Sequence, residues 1–205
     1  MNLSTLQRVT RLVLLLALAT SLFPQASKAQ ATGTPTFFAP ARGFGTTEAG
    51  LSVSGGGGSG AVGVEGRYGF SLNSSDISMR AGYVDGGDAG SGSFVAGVEA
   101  RIPVIGHDRS FPLDGALIFG VGHIFDDSGG ETLVPLGLSL GRRIVLDGND
   151  LQLTPYVQPT VIFQSDSAFS FGLGLDIHIL GIPDIRLNWA EGDLDGFAVS
   201  LFWAR

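Results

Sequence analysis

The chain has 205 residues, with 12 Lys and Arg against 19 Asp and Glu, and its formal net charge is −7. This acidic balance argues against a nucleic-acid partner, because phosphate contacts need a basic surface. Cysteine is absent, which excludes disulfide bonds, thiol catalysis and cysteine-ligated zinc.

Residues 1–29 are predicted to be a secretory signal peptide. Two arginines precede an apolar run of about 11 residues over 12–22, and small residues surround Ala29. This run falls well below the roughly 20 residues that a helix needs to cross a bilayer, which disfavours a membrane anchor. We expect export with cleavage after Ala29 or Ala31, followed by an irregular lead-in over residues 30–46.

The remaining chain, residues 47–205, alternates apolar residues with polar residues or glycine in segments of 8 to 14 residues. Clusters of Gly, Asp, Asn and Ser separate the segments, and these links are too short for parallel crossovers, so neighbouring strands should be antiparallel. Eight strands remain an alternative to ten, because the ninth segment is short. The ten predicted strands lie near 48–55, 61–70, 76–84, 93–103, 113–125, 131–145, 151–164, 168–180, 184–190 and 195–205.

A soluble sandwich and a membrane barrel both fit such a series of strands. A sandwich shows frequent charged residues to water, yet charged residues make up only 15% of this chain. The polar phase, meaning the alternate strand positions that carry polar residues or glycine, is largely Gly, Ser, Thr and Gln. Bulky apolar residues occupy the other set of alternate positions, the apolar phase. This combination favours an all-β, antiparallel, up-and-down transmembrane β-barrel with short turns.

Aromatic residues of the apolar phase gather near the strand ends. Such girdles are typical of transmembrane barrels, because aromatic rings sit well at the depth of lipid headgroups. With both barrel termini on the periplasmic side, all but the last of these residues fall near the external rim. The predicted girdle consists of Tyr83, Phe94, Phe125, Phe163, Phe169, Trp189, Phe197 and Trp203.

The signal peptide, the antiparallel strands and the final stretch GFAVSLFWAR, in which apolar residues alternate, resemble small bacterial outer-membrane β-barrel proteins. The resemblance covers roughly residues 47–205 and is one of pattern. It implies an outer-membrane location, contact with outer-membrane lipid, and recognition of the last strand by the barrel-assembly machinery. This chain departs from the family by placing Ala204 and Arg205 after its last aromatic residue.

Charged residues of the polar phase are predicted to point into the barrel. Buried charges are costly unless paired, so the mixture of Arg with Glu and Asp predicts an ion-pair network that plugs a narrow lumen. We expect a structural or interaction role; the alternatives are a narrow channel for ions or small solutes and a lipid-modifying enzyme. The predicted lumen network comprises Glu65, Arg67, Arg80, Glu99, Arg101, Arg143, Asp176, His178 and Arg186.

The sequence contains no convincing arrangement of catalytic residues. Asp176 and His178 share a face, but Ser170 lies about 26 Å away along an extended strand, too far for a triad. Barrel enzymes that modify lipids resemble this chain in size, yet no His-x-Ser pair occurs. We expect no catalytic residues, no cofactor and no metal site, and an enzyme is disfavoured.

The stretch LQLTPYVQPTVIFQ, residues 151–164, carries two prolines on its apolar phase. Proline donates no amide hydrogen bond, so it weakens pairing within a sheet. Pro155 and Pro159 are four residues apart and their missing donors face the same neighbour, either 131–145 or 168–180. The prolines predict either a tolerated bend or a lateral seam that could admit a lipid tail.

Overall fold

A computed structural model of the protein describes residues 32–41, 47–55, 61–86, 92–126, 129–146, 151–193 and 195–204. The predicted signal peptide, residues 1–29, lies outside this described part. Among the described residues, no helix is long and apolar enough to cross a membrane.

The described chain folds into strands joined by short links. The strands are β1 (Thr47–Gly55), β2 (Val62–Leu72), β3 (Ser75–Asp85), β4 (Ser93–Ile105), β5 (Asp114–Phe125), β6 (Glu131–Gly141), β7 (Ile144–Leu146), β8 (Leu151–Phe163), β9 (Ala168–Ile179), β10 (Asp184–Gly192) and β11 (Gly196–Ala204).

These strands form one closed antiparallel barrel. Apart from β6 and β7, strands that follow one another in the chain pair side by side; β1 pairs with β11, and β6 pairs with β8. β6 and β7 both pair with β8 and occupy one position in the wall, separated only by Arg142 and Arg143. The prediction of an all-β barrel of ten antiparallel strands is confirmed, and the alternative of eight strands is wrong.

The barrel has two ends. We call the end where β1 begins and β11 finishes the terminal end, and it also carries the turn at residues 73–74 and the link at 106–113. The opposite end, called the distal end, is the end where β1, β3, β5, β8 and β10 finish.

The two faces of the wall follow the two-residue period of the strands. In β1 the side chains of Ser52 and Ser54 are buried, whereas Leu51 and Val53 are 57% and 54% exposed. In β2, Glu65 is buried while Val64 is exposed. Polar side chains therefore face inward and apolar side chains outward, the reverse of a soluble core.

Apolar packing inside the barrel is confined to small clusters of described residues. Leu133, Ile162 and Ala168 pack together on β6, β8 and β9 near the distal end. Two further clusters form around Phe37 and Phe38, which belong to the segment before β1.

The predicted girdle residues lie at the barrel ends. Phe94 is in register with Tyr83 on one side and Phe125 on the other, near the distal end. The ring centroids of Tyr83 and Phe94 are 5.3 Å apart in an edge-to-face arrangement. Trp203 lies at the terminal end. The exposed members are Tyr83, Phe94, Phe125, Phe163, Phe169, Trp189 and Trp203, and Phe197 is half-buried.

Glycine lets adjacent strands approach closely at crowded points of the wall. A Cβ atom at Gly82 of β3 would contact the carbonyl oxygen of Val64 and lie 2.8 Å from the Cα atom of Glu65. At Gly66 of β2, the nearest atom to an added Cβ is 3.8 Å away, an ordinary contact.

We expect Gly82→Ala to destabilise the barrel by about 1–3 kcal/mol, because backbone atoms would have to shift. The measurement is the temperature at which the folded band is lost in detergent electrophoresis. Gly66→Ala is the control and should keep the native temperature. Equal behaviour of the two variants would contradict the crowding at Gly82.

Candidate functional site

The irregular segment 32–41 lies inside the barrel, and we call it the strap. Thr32, Thr34, Phe37 and Phe38 are each no more than 2% exposed. Thr34 lies close to Gly63 near the distal end, whereas the Ala39 carbonyl meets Arg101, whose partner Asp76 follows the terminal-end turn. The strap therefore runs through the interior from the distal toward the terminal end. The sequence predicted an irregular lead-in but contained no signal for its location.

Wall side chains bind the main chain of the strap at Phe37. Its amide N–H donates to Oδ1 of Asn188 at 3.1 Å, and its carbonyl accepts from the Tyr156 hydroxyl at 3.0 Å. Asn188 Nδ2 in turn donates to the Tyr156 oxygen at 2.7 Å. The polar groups of an irregular buried segment, which have no ladder of their own, are satisfied in this way.

Phe38 is bound by two further wall side chains. Its amide N–H donates to Oε1 of Gln158 at 3.0 Å, and the Ser139 hydroxyl donates to its carbonyl. Gln158 and Ser139 are each 0% exposed. Both bonds are made to main-chain atoms of Phe38 and leave its ring free for other contacts.

The two phenyl rings of the strap fill the space between the walls. Phe37 packs with Tyr156 and Ala190, and an added Cβ at Gly172 would lie 2.6 Å from its ring. Glycine at 172 therefore makes room for this ring.

The Phe38 ring packs against Ala116 and Ile118 on one side. The guanidinium carbon of Arg67 lies 3.8 Å from its centroid, a cation–π contact. Phe38 is thus held by both apolar and cationic groups.

Arg80 of β3 lies between two carboxylates from the neighbouring strands. Its Nε donates to Glu65 at 2.7 Å, and its Nη1 donates to Glu99 at 3.0 Å. All three side chains are at most 2% exposed. The Thr34 hydroxyl of the strap donates to Glu65 at 3.2 Å and accepts from Arg80 at 3.2 Å. The strap is thereby joined to this buried triad.

Two more arginines are paired toward the terminal end. Arg101 contacts Asp76 through Nε at 2.9 Å and Nη2 at 2.6 Å, and its Nη1 donates to the Ala39 carbonyl at 2.9 Å. Arg186 of β10 binds both oxygens of Asp176 on β9, at 2.7 and 2.6 Å. This bidentate geometry is the stronger form of arginine–carboxylate pairing.

Arg67 completes the set of buried cations. Its Nη1 lies 3.1 Å from Oε1 of Glu48, and Arg186 Nη1 lies 4.0 Å from the same oxygen. The ring of Phe202 lies 4.5 Å from the Arg186 guanidinium carbon and 5.6 Å from that of Arg67. Aromatic faces and a shared carboxylate together surround these two cations.

Sequence reasoning missed two members of this cluster, Glu48 and Asp76. Glu48 shares the inward phase of Ser52 and Ser54, and Asp76 shares the phase of Arg80, so the two-residue period would have identified both. With them included, every buried arginine of the cluster has a carboxylate partner.

Two predicted lumen residues lie apart from the buried cluster. Arg143 is half-buried in the interruption between β6 and β7, outside regular strand. His178 pairs through Nδ1 with Asp184 at 2.6 Å, and both side chains are 20% exposed near the terminal end. Asp176, which was expected to share a face with His178, is bound by Arg186. No three described His, Asp or Glu side chains converge as metal ligands would.

Comparisons with known proteins add little to this geometry. No protein-family profile matches the sequence, and no curated protein matches it significantly. The crystal structure of the β domain of the Bordetella autotransporter BrkA is similar over 77% of this chain and 97% of that chain, with 14% identity and a TM-score of 0.44. A likeness at this level carries no argument about function.

We expect Arg80→Met to cost about 3–5 kcal/mol, because it leaves two buried carboxylates without their cation. The free energy of unfolding in urea, followed by tryptophan fluorescence in lipid vesicles, measures this. Arg109→Met, at an exposed position in the 106–113 link, is the control and should change stability little. Adding Glu65→Gln and Glu99→Gln to Arg80→Met should recover part of the loss. If the triple variant is no more stable than Arg80→Met, the loss of stability in Arg80→Met is not caused by the unpaired carboxylates.

Proposed function

We propose that this chain is an integral barrel of the bacterial outer membrane whose lumen is occluded by its own strap and by paired charges. Its role is structural or one of interaction, and it does not conduct ions or solutes. The observation that carries this proposal is the burial of residues 32–41 inside the closed wall, where Phe37 and Phe38 are 1% and 2% exposed.

Membrane insertion is supported by the outer surface. Leu, Val and Phe side chains face outward from every side of the wall, and Phe94 and Trp203 are 67% and 51% exposed. Apart from the short β7, the strands have 9 to 13 residues, close to the roughly 9–11 needed to cross a bilayer at a tilt. An apolar outer band with a charged interior is typical of transmembrane barrels.

Outer-membrane lipid is the proposed partner of the mature protein. Before that, residues 1–29 would direct export as a cleaved signal peptide, and the barrel-assembly machinery would recognise β11. In support, β11 alternates outward apolar residues such as Leu201 and Trp203 with buried inward residues, and it closes the barrel against β1.

The narrow lumen supports the proposed occlusion. A ten-strand barrel has a narrow interior, and inward side chains from several strands reach its centre. Here the interior also holds an irregular segment with two phenyl rings. A continuous water path, which conduction requires, would need the strap to move.

With both barrel termini on the periplasmic side, the membrane proposal predicts that the terminal end faces the periplasm and the distal end faces the cell exterior. Because the natural chain contains no cysteine, Asp166→Cys at the distal end and Arg109→Cys at the terminal end each introduce a unique thiol at an exposed position. A membrane-impermeant maleimide should label Asp166→Cys in intact cells and Arg109→Cys only after lysis. Labelling of both variants in intact cells, or of neither, would contradict the proposed topology.

The occlusion proposal predicts that the purified full chain shows no steady conductance in planar bilayers. Replacing both strap rings, Phe37→Ala with Phe38→Ala, should allow measurable openings because the lumen loses two bulky buried rings. The matched control is Phe163→Ala with Phe169→Ala, which removes two rings from the outer surface. Steady conductance by the natural chain would support the channel alternative instead.

A further inference from the structure

The pairing of β6 with β8 is interrupted at both prolines of β8. Paired positions run from Val134↔Phe163 to Gly137↔Thr160 and resume at Leu140↔Val157. Pro159 lies opposite Leu138 within the gap, and it has no N–H to donate. The wall keeps one register across the gap, so the missing donor alone accounts for the unpaired positions.

A second interruption of the same kind follows at Pro155. The Arg142 amide still donates to the Pro155 carbonyl at 3.3 Å, but Pro155 cannot return the bond. Regular pairing resumes only at Ile144↔Leu153. The missing donors of both prolines therefore face β6 and β7, and not β9, to which β8 pairs without interruption from Leu151 to Ile162.

The other edge of β6 carries a third proline. Pairing of β5 with β6 stops after Phe119↔Leu136 and resumes at Gly122↔Leu133, and Pro135 lies in that gap. The hydrogen bonding of β6 is thus interrupted on both sides. We call the β6–β8 boundary the seam.

The strap contacts the seam where Pro159 interrupts it. Ser139 and Gln158 are the facing residues of that gap, one on each strand. These two side chains bind the carbonyl and the amide of the same residue, Phe38. The main chain of Phe38 therefore bridges β6 and β8 at the position where their own ladder fails.

We propose that this clamp, made of Ser139, Gln158 and the Phe38 main chain, locks the seam, and that β6 separates from β8 when the strap leaves. The occupant of the clamp is the Phe38 main chain of this chain's own strap. The clamp recognises one amide and one carbonyl of this segment, and the packing of the Phe38 ring against Ala116 and Ile118 fixes which residue supplies them. The strap thereby governs a lateral connection between the lumen and the outer surface, beyond its proposed role as a filler.

Amide hydrogen exchange of the full chain in lipid nanodiscs tests the lock. The clamp variant combines Ser139→Ala with Gln158→Met, which keeps side-chain volume but removes both bonds to Phe38. We expect exchange of amides in β6 and β8 around the gap to rise about tenfold, the effect of losing one or two buried hydrogen bonds on local opening.

The matched control is Ser52→Ala with Ser200→Ala. These hydroxyls form an equally buried bond at 2.8 Å across β1 and β11, where the ladder is uninterrupted. Seam exchange should stay native in this control. Seam exchange that is unchanged in the clamp variant, or that rises equally in the control, would overturn the proposal.

A rescue variant separates locking from general loosening. Adding Pro159→Val to the clamp variant restores the missing donor, so exchange at the seam should return toward the native rate. Persistently fast exchange after this addition would also overturn the lock. If the clamp variant does not form a barrel, Gln158→Met alone, with and without Pro159→Val, provides the same comparison.

Discussion

Polar and charged groups that turn into the interior of a narrow closed barrel are costly to bury without a partner, and this cost shapes the interior of the protein. The main-chain amides and carbonyls of the strap have no strand partner, and side chains of the wall, Asn188, Gln158 and Ser139, form hydrogen bonds with them. The wall in turn contributes guanidinium groups, and Arg101 donates a hydrogen bond to the Ala39 carbonyl of the strap. Strap and wall therefore stabilise one another.

The charges of the interior are balanced locally. Arg80 is shared by two carboxylates, Arg186 binds Asp176 through Nε and Nη2, and Arg67 lies between Glu48 and the Phe38 ring. Pairs of this kind compensate their desolvation only when the geometry is good and further hydrogen bonds are made. Loss of one member leaves its partner as an uncompensated buried charge, so the pairs depend on one another.

The sequence predicted the wall better than the site. Period-two alternation placed the strands within a few residues and identified most inward charges, from Glu65 to Arg186. It missed Glu48 and Asp76 because they begin their strands, where the alternation is short. It placed Arg143 within a continuous strand, whereas loss of the Pro155 donor interrupts the strand there. Nothing in the sequence predicted that the strap lies inside the barrel, because an irregular segment has no regular alternation of apolar and polar residues.

The sequence by itself determined two-faced strands, antiparallel neighbours and two prolines that weaken one side of their strand, since each of these is local to a few residues. The tertiary structure decided which side that is, how the barrel closes, and what fills it. These depend on partners far apart in the chain: Phe37 and Asn188 are 151 residues apart, and Phe38 and Ser139 are 101 apart. Local alternation specifies the face of each strand, but register and filling are set only when distant residues compete for one interior.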